Sequence, residues 1–203
     1  MTRIFPMLAS LSLMLMGVSA ILGLLIGDLY VRPPEAATLL WRGRHMLTGV
    51  AAALAVVLVE SIAVTYFIGT SRWCKEVTET YRLPGADLAE SNRLKRRTFP
   101  WCVLGMLTVV VVGSLGAASD PGTGRPDTAE WADIHLVGAL LGLFVVAWTY
   151  YRAWLNIADN QRVIERIVAQ VRQIREERGL DSPAPIGPIA TGTGAGAAYP
   201  LES

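Results

Sequence analysis

Four apolar blocks, each of about 20 residues, dominate this sequence of 203 residues. A helix needs about 20 apolar residues to cross the hydrocarbon core of a bilayer, and none of the blocks shows the strict alternation of a membrane barrel strand. Inside a bilayer, only helices and closed barrels satisfy their own backbone polar groups. The sequence therefore predicts an all-α integral membrane protein built as an up-and-down bundle of four transmembrane helices. The predicted spans are 7–27, 45–70, 99–118 and 135–155.

Charged residues between the blocks predict the orientation of the chain. The connection between the second and third blocks, taken as a loop, is basic, whereas the next connection is acidic. Because short cytoplasmic loops carry an excess of Lys and Arg, both termini are predicted to be cytoplasmic in a bacterial-type inner membrane. Three arginines of the first outer connection, Arg32, Arg42 and Arg44, break this bias. An apolar run behind Arg3 is also typical of a secretory signal, but its length favours a first span.

Matching residues recur at intervals of about 90 residues, which indicates a tandem duplication of a helical hairpin. We predict one transmembrane domain over 1–155, with repeats at about 1–83 and 95–155 that are related by a pseudo-twofold axis along the membrane normal. The alternative is that ordinary membrane-border residues match by chance. The paired residues are Phe5 and Phe99, Asp28 and Asp120, Trp41 and Trp131, and His45 and His135.

The chain has two histidines, and both are predicted to lie within helices at the same depth, near the outer face. Imidazole is the commonest metal ligand, and a b-type haem takes two axial imidazoles in an apolar slot between helices. Small residues on the histidine faces predict such a slot, and arginines at this level suit the haem propionates. We predict one bis-histidine haem b, with another tetrapyrrole or metal less favoured. The predicted site comprises His45 and His135 as metal ligands, Arg42 and Arg44 near the propionates, Trp41 and Trp131 at the ring edge, and Gly49, Gly138 and Gly142 in the slot.

Other interpretations of the histidine pair stay open. Interfacial histidines also form hydrogen bonds across helices without a cofactor, and small residues also let membrane helices approach closely. The chain would then be a cofactor-free accessory or assembly subunit of a larger membrane complex. A zinc or copper site would need further ligands, for example Asp133. Transport is favoured less, because the sequence does not indicate broken helices near the midplane.

Glu60 is an ionisable residue deep in the second block. Such residues are costly in a bilayer, usually face a bundle interior or a water cavity, and are candidate functional sites. We therefore predict a proton relay or a quinone contact near Glu60, Thr65 and Tyr66. The alternative is a structural role, with Arg152 or a serine as the partner of the carboxylate.

The second and fourth spans are predicted to continue as helices into the cytoplasm. Residues 156–180 form an amphipathic extension whose apolar stripe packs either on the extension of the second span or, through residues 157–178, on a neighbouring subunit. Residues 181–203 are rich in Pro, Ala, Gly and Thr and are predicted to be a disordered tail. The stripe consists of Ile157, Asn160, Ile164, Ile167, Val171 and Ile174.

The sequence shows none of the motifs of a soluble-type active site, so the chain is not predicted to be an enzyme by itself. The predicted function is that of a haem-b-binding membrane subunit of a respiratory or photosynthetic-type electron-transfer complex. The expected partners are membrane lipid, other subunits of that complex and a quinone, with no nucleic acid.

Overall fold

The computed structural model describes residues 1–31, 33, 35–125 and 127–180. Most of these residues lie in long helices. Each of the four α-helices in this part of the chain is long and apolar enough to cross a membrane. The predicted all-helical chain with four candidate spans is therefore confirmed at that level. Arg32 and the predicted tail at 181–203 lie outside the described residues. The helices are α1 (Ile4–Leu24), α2 (Ala36–Tyr81), α3 (Ala86–Ser119) and α4 (Glu130–Glu177), with a short 3-10 helix at Pro121–Thr123.

Two of the helices are far longer than a bilayer requires. α2 has 46 residues and α4 has 48. At about 1.5 Å per residue each is about 70 Å long, more than twice the thickness of a hydrocarbon core. α4 runs unbroken through 156–177, so the amphipathic extension belongs to the same helix as the fourth candidate span. α2 ends at Tyr81, and the next residue, Arg82, adopts a left-handed conformation with φ of 54°.

The third helix begins earlier than the sequence predicts. We expected a loop up to Phe99, but α3 starts at Ala86 and the connection from α2 is only four residues long, 82–85. Pro100, which the sequence suggests as a helix entry, lies inside α3. The helix extends because residues 86–98 are rich in strong helix formers and because their buried face, Leu94 included, packs on α4.

Successive helices lie side by side and run in opposite directions. The first hairpin is formed by α1 and α2. Gly27, just after α1, packs on Thr38 near the start of α2, and Gly23, one turn earlier, packs on His45, which lies further along α2. The second hairpin, formed by α3 and α4, has the same antiparallel packing. α2 also contacts α3, and α1 contacts α4. The two hairpins therefore enclose a common interior.

The burial pattern repeats at the predicted offset of 90 residues. Residues 51–60 and 141–150 are buried, half-buried or exposed alike at nine of ten positions, with Val57 and Ala147 as the exception. This agreement supports the duplication, which stays a prediction. The pairs buried in both segments are Ala52 and Gly142, Val56 and Val146, Val59 and Thr149, and Glu60 and Tyr150.

The apolar stripe of the α4 extension packs on helices of the same chain. Ile157, Val163 and Ile167 are fully buried in one cluster with Cys74 of α2 and Leu94 of α3. This is the first of the two arrangements that we considered for the stripe. Burying an aliphatic side chain of this size contributes about 1.5–3 kcal/mol, so this cluster holds the extensions of three helices together.

Polar contacts surround the buried cluster. Arg166 of α4 donates to Asp87 and Glu90 of α3 at 2.8 and 2.7 Å, and Gln170 donates to Asp87 at 2.9 Å. Exposed ion pairs contribute about 0.2–1 kcal/mol each, less than the apolar contacts. They fix the register of α3 against α4.

We predict that Ile167→Ala lowers the free energy of unfolding by about 2–5 kcal/mol, because it removes a buried side chain and leaves a cavity. Val168 is the matched control, since it is the next residue and is 41% exposed, whereas Ile167 is 1% exposed. Val168→Ala should change the same quantity by less than about 0.5 kcal/mol. Denaturant unfolding in detergent micelles, followed by circular dichroism, measures both. Equal effects of the two substitutions would contradict the packing of the extension.

Candidate cofactor site

The two histidines meet between the two hairpins. The ring centroids of His45 on α2 and His135 on α4 are 6.0 Å apart, with their planes inclined at 75°. Both residues are half-buried. Two imidazole nitrogens that each lie about 2 Å from a shared metal place the ring centres about 6 Å apart. The separation suits two ligands to one metal ion, and it is equally that of two imidazoles in a T-shaped ring contact.

A backbone carbonyl orients the ring of His45. Its Nδ1 atom lies 2.9 Å from the carbonyl oxygen of Ser19 on α1. Because a carbonyl only accepts, this contact assigns the proton of the neutral ring to Nδ1 and leaves the lone pair on Nε2. Metal-binding histidines commonly use their second nitrogen in this way. His45 thus presents Nε2 as a free ligand atom.

His135 has a related environment in the second hairpin. The Val112 carbonyl, which stands 93 residues after Ser19, interacts with the His135 ring. The Nδ1 atom of His135 is nevertheless buried without a partner in full hydrogen-bond geometry. The same arrangement of ring and carbonyl therefore occurs in both hairpins, with the hydrogen bond complete in the first.

Each imidazole lies against a glycine of the neighbouring helix. A Cβ atom at Gly23 of α1 would lie 3.1 Å from His45 Cε1, and a Cβ at Gly116 of α3 would lie 3.1 Å from His135 Cε1. Any larger residue would push the ring aside. Sequence analysis missed both glycines, although their spacing of 93 residues falls within the offsets of the predicted duplication.

The three glycines predicted to line a slot face other helices instead. A Cβ at Gly138 would lie 2.5 Å from Leu115 Cδ1, and one at Gly142 would lie 2.7 Å from Val112 Cγ2. Gly49 faces α1, where a Cβ would lie 3.3 Å from a serine hydroxyl. These small residues allow close packing within each hairpin, so this face does not leave the slot that we expected.

The helices are less closely packed at the level of the histidines than below it. None of the described residues in 39–51 of α2 or 129–141 of α4 is buried, and the closely packed interior begins at Ala52 and Gly142. On the other side of the histidines, toward the start of α2 and α4, Thr38 and Thr128 are buried again. We call this level of α2 and α4 the accessible layer, and the part of the bundle from Ala52 and Gly142 onward the closed part; on α1, Ser19 beside His45 is itself buried.

The predicted propionate partners already have partners within the protein. Arg42 Nη2 donates to both carboxylate oxygens of Asp120, at 2.7 and 2.8 Å, and so links the two hairpins. The Arg44 guanidinium lies 4.8 Å from the centre of the Trp41 ring, in a cation–π contact. Trp131 is half-buried at the start of α4.

The three residues of the predicted proton or quinone site do not share one environment. Glu60 is fully buried inside the bundle, whereas Thr65 is exposed and Tyr66 is half-buried. Thr65 and Tyr66 line a groove of about 550 Å³ on α2 that Glu60 does not line. Arg152, one of the predicted partners of Glu60, instead lies 5.3 and 5.9 Å from the ring centres of two tryptophans.

Two potential ligands, His45 and His135, lie close together. Among the described residues, no group of three or more His, Cys, Asp or Glu side chains is arranged to hold a metal ion. Asp133, considered above as a further ligand, is exposed. Comparisons of the chain with protein families, curated proteins and solved structures find no match.

The Arg42–Asp120 pair makes the junction of the hairpins sensitive to pH. Burial raises the pKa of Asp120, but the hydrogen bonds from Arg42 and the Gly122 N–H and the positive charge of Arg42 together lower it below its usual value. An aspartate with a lowered pKa in the folded state stabilises that state above its unfolded-state pKa. This contribution is lost as the pH falls through the folded-state pKa.

We predict that Asp120→Asn lowers the free energy of unfolding by about 1 kcal/mol at neutral pH, the size expected for a partly exposed ion pair. The difference from the unmodified protein should disappear in acid, where Asp120 itself becomes protonated. Asp127→Asn is the control, because Asp127 pairs only with the nearby Arg125, at 3.5 Å in the same exposed connection. Denaturant unfolding as a function of pH checks this, and a deficit that persists unchanged in acid would contradict it.

Proposed function

We propose that this chain is a haem-b-binding membrane subunit of an electron-transfer complex. In this proposal the four helices cross the membrane as an up-and-down bundle, with both termini on the cytoplasmic side. One observation carries the proposal: two imidazoles from separate hairpins lie with their ring centres 6.0 Å apart.

The number of ligands favours a b-type haem over a bare metal ion, although a haem would have to separate helices that pack closely at Gly138 and Gly142. A haem iron needs only two axial ligands from the protein, because the porphyrin supplies the other four. A structural zinc site takes four protein ligands and a catalytic one three. His45 and His135 would hold the haem iron. The Nδ1 atom of His135 is buried without a hydrogen-bond partner among the described residues, and a second-shell contact to it would orient the ring. When bound, the haem supplies one-electron redox chemistry.

The surrounding residues hold the two imidazoles in place. The Ser19 carbonyl keeps the proton of His45 on Nδ1 and makes Nε2 a better ligand. Gly23 and Gly116 admit the rings close to the helix backbones, and the Arg42–Asp120 ion pair ties the two hairpins together at this end of the bundle.

A partner protein is part of the proposal. The described residues form little structure outside the long helices, so electrons would pass to or from another subunit or a membrane quinone. The groove that Thr65 and Tyr66 line is the candidate contact for a quinone. Because the apolar stripe of the α4 extension packs on α2 and α3, a subunit bound through residues 157–178 would contact the polar faces of that helix.

We predict that the purified protein, supplied with haem, shows a reduced-minus-oxidised absorption spectrum of a low-spin b-type centre. His45→Ala and His135→Ala should each abolish this spectrum, because each removes one axial ligand. Loss in both variants with retained helical circular dichroism supports the proposal. A protein that stays colourless while folded would favour the cofactor-free accessory subunit instead.

We also predict that Gly23→Ala and Gly116→Ala weaken haem binding by about tenfold or more, since the new methyl group would displace an imidazole by a few tenths of an ångström or more. Gly17→Ala and Gly113→Ala are matched controls, because a Cβ at either position meets nothing within 4 Å. Haem titration followed by absorbance measures the dissociation constants of all four variants. Unchanged binding in Gly23→Ala and Gly116→Ala would contradict the role of these glycines in placing the rings.

A further inference from the structure

Glu60 lies in the closed part of the bundle with an exposed fraction of 0%. Its Oε1 atom lies 2.8 Å from Thr149 Oγ1 on α4. Its Oε2 atom is buried without a hydrogen-bond partner among the described residues. A carboxylate in this position would lack the several hydrogen bonds that a buried negative charge requires.

The neighbours of Glu60 supply no positive charge. None of the ion pairs among the described residues includes Glu60. The titratable groups that face it are the Cys102 thiol of α3 and the Tyr150 phenol of α4, and neither is a cation. From α1, the Ser12 hydroxyl lies 3.0 Å from the Tyr150 hydroxyl and does not reach Glu60. An isolated buried carboxylate is far costlier than the neutral acid, so the surroundings favour a bound proton.

The hydrogen atoms around Thr149 point to the same conclusion. Its Oγ1 atom lies 2.8 Å from Glu60 Oε1 and 2.9 Å from the Val146 carbonyl oxygen. A hydroxyl carries one hydrogen, which cannot fully serve two acceptors. If Glu60 is the neutral acid, its own O–H donates to Thr149 Oγ1, and Thr149 then donates to Val146. A proton on Glu60 therefore lets both short contacts be full hydrogen bonds, whereas a carboxylate would have to share the single Thr149 hydrogen with Val146.

A glycine on α3 makes room for the acid. A Cβ atom at Gly105 would collide with Glu60 Oε1 and lie 3.0 Å from Thr149 Oγ1. Three helices therefore build this site: α2 provides the acid, α4 provides the hydroxyl and α3 provides the space.

Buried polar side chains continue from Glu60 toward the end of the bundle at the 82–85 connection. On α4, Asn156 donates to Thr98 at 2.9 Å, and Asn160 lies 2.9 Å from Ser91. Positions 149, 156 and 160 lie on one face of α4, because they are separated by seven and four residues. At about 1.5 Å per residue they span about 16 Å. We call Ser91, Thr98, Cys102, Thr149, Asn156 and Asn160 the polar column.

The polar column ends where the interior becomes accessible. Asn160 Nδ2 donates to Thr70 Oγ1 at 3.1 Å and to the Tyr66 hydroxyl at 3.3 Å. Tyr66 and Thr70 are half-buried and line the groove on α2. The column thus consists of three separate hydrogen-bonded groups, the last of which reaches a surface of the protein.

We propose that Glu60 is a proton-binding site, and that its proton exchanges with water along the polar column. In this exchange the carboxylate gains a proton from water, forming an O–H bond on Glu60 and leaving hydroxide, and the reverse step returns the proton. The proposal does not rest on haem binding.

Infrared spectroscopy of the protein in lipid bilayers tests the bound proton. The protein should show the carbonyl band of a protonated carboxylic acid at neutral pH, and Glu60→Gln should remove it. Glu130→Gln, at an exposed glutamate of α4, should leave it in place. Thr149→Val should shift the band by removing the partner of the acid, whereas Ser12→Ala, which removes the partner of Tyr150, should not. Glu60→Asp should shift the band rather than remove it, which covers the case in which Glu60→Gln does not fold.

Hydrogen–deuterium exchange of the Glu60 acid in heavy water, followed by the shift of the same infrared band, tests the route. Asn156→Leu and Asn160→Leu should slow its shift several-fold, because each interrupts the polar column, while Gln161→Leu, on a half-buried neighbouring position, should not. Equal exchange rates in all variants would overturn the route. Absence of the band at neutral pH, or its retention in Glu60→Gln, would overturn the proton site. Loss of the band on adding sodium at constant pH would also overturn it, since Glu60 would then bind a metal cation.

Discussion

The contact between each imidazole and a glycine on the adjacent antiparallel helix is the constraint on which the rest of the site depends. Glycine costs a helix about 1 kcal/mol relative to alanine, so a glycine inside a helix usually has a packing reason. At Gly23 and Gly116 the reason is the ring of His45 or His135. Because each hairpin holds its own ring, the distance between the rings is set by how the two hairpins pack on each other.

That packing divides the bundle into two parts with different chemistry. The accessible layer holds the imidazoles, and the closed part below holds the buried polar groups. Within the closed part, Glu60 and Tyr150 occupy matching positions 90 residues apart, and each faces a position on a helix of the other hairpin: Gly105 for Glu60 and Ser12 for Tyr150. Gly105 and Ser12 are themselves 93 residues apart. In a duplicated hairpin, the two halves would have kept one geometry while one half acquired an acid and the other a phenol.

The long helices and the burial of Glu60 could be predicted from sequence because they follow from hydropathy alone. An apolar run of sufficient length must be helical in a bilayer, and an ionisable side chain within it must face the interior. The early start of α3 was missed, since Phe99-Pro100 resembled a helix entry and the packing of Leu94 on α4 is a tertiary effect.

The small residues show where sequence reasoning reaches its limit. Periodicity places Gly138 and Gly142 on the histidine face of α4, but it cannot say which neighbour fills the space beside them. The structure fills it with side chains of α3, and assigns the contact with the imidazole to Gly116 on that helix instead. Likewise, Arg152 lies in the right block to partner Glu60 but interacts with tryptophans.

Electron paramagnetic resonance of the ferric haem-loaded protein tests the central claim most directly, because the signal reports both axial ligands at once. If His45 and His135 hold one centre, the spectrum is that of a low-spin ferric haem with two imidazole ligands, at one haem per chain. A high-spin spectrum, or a low-spin spectrum that survives replacement of both histidines, would contradict a shared centre between the two hairpins.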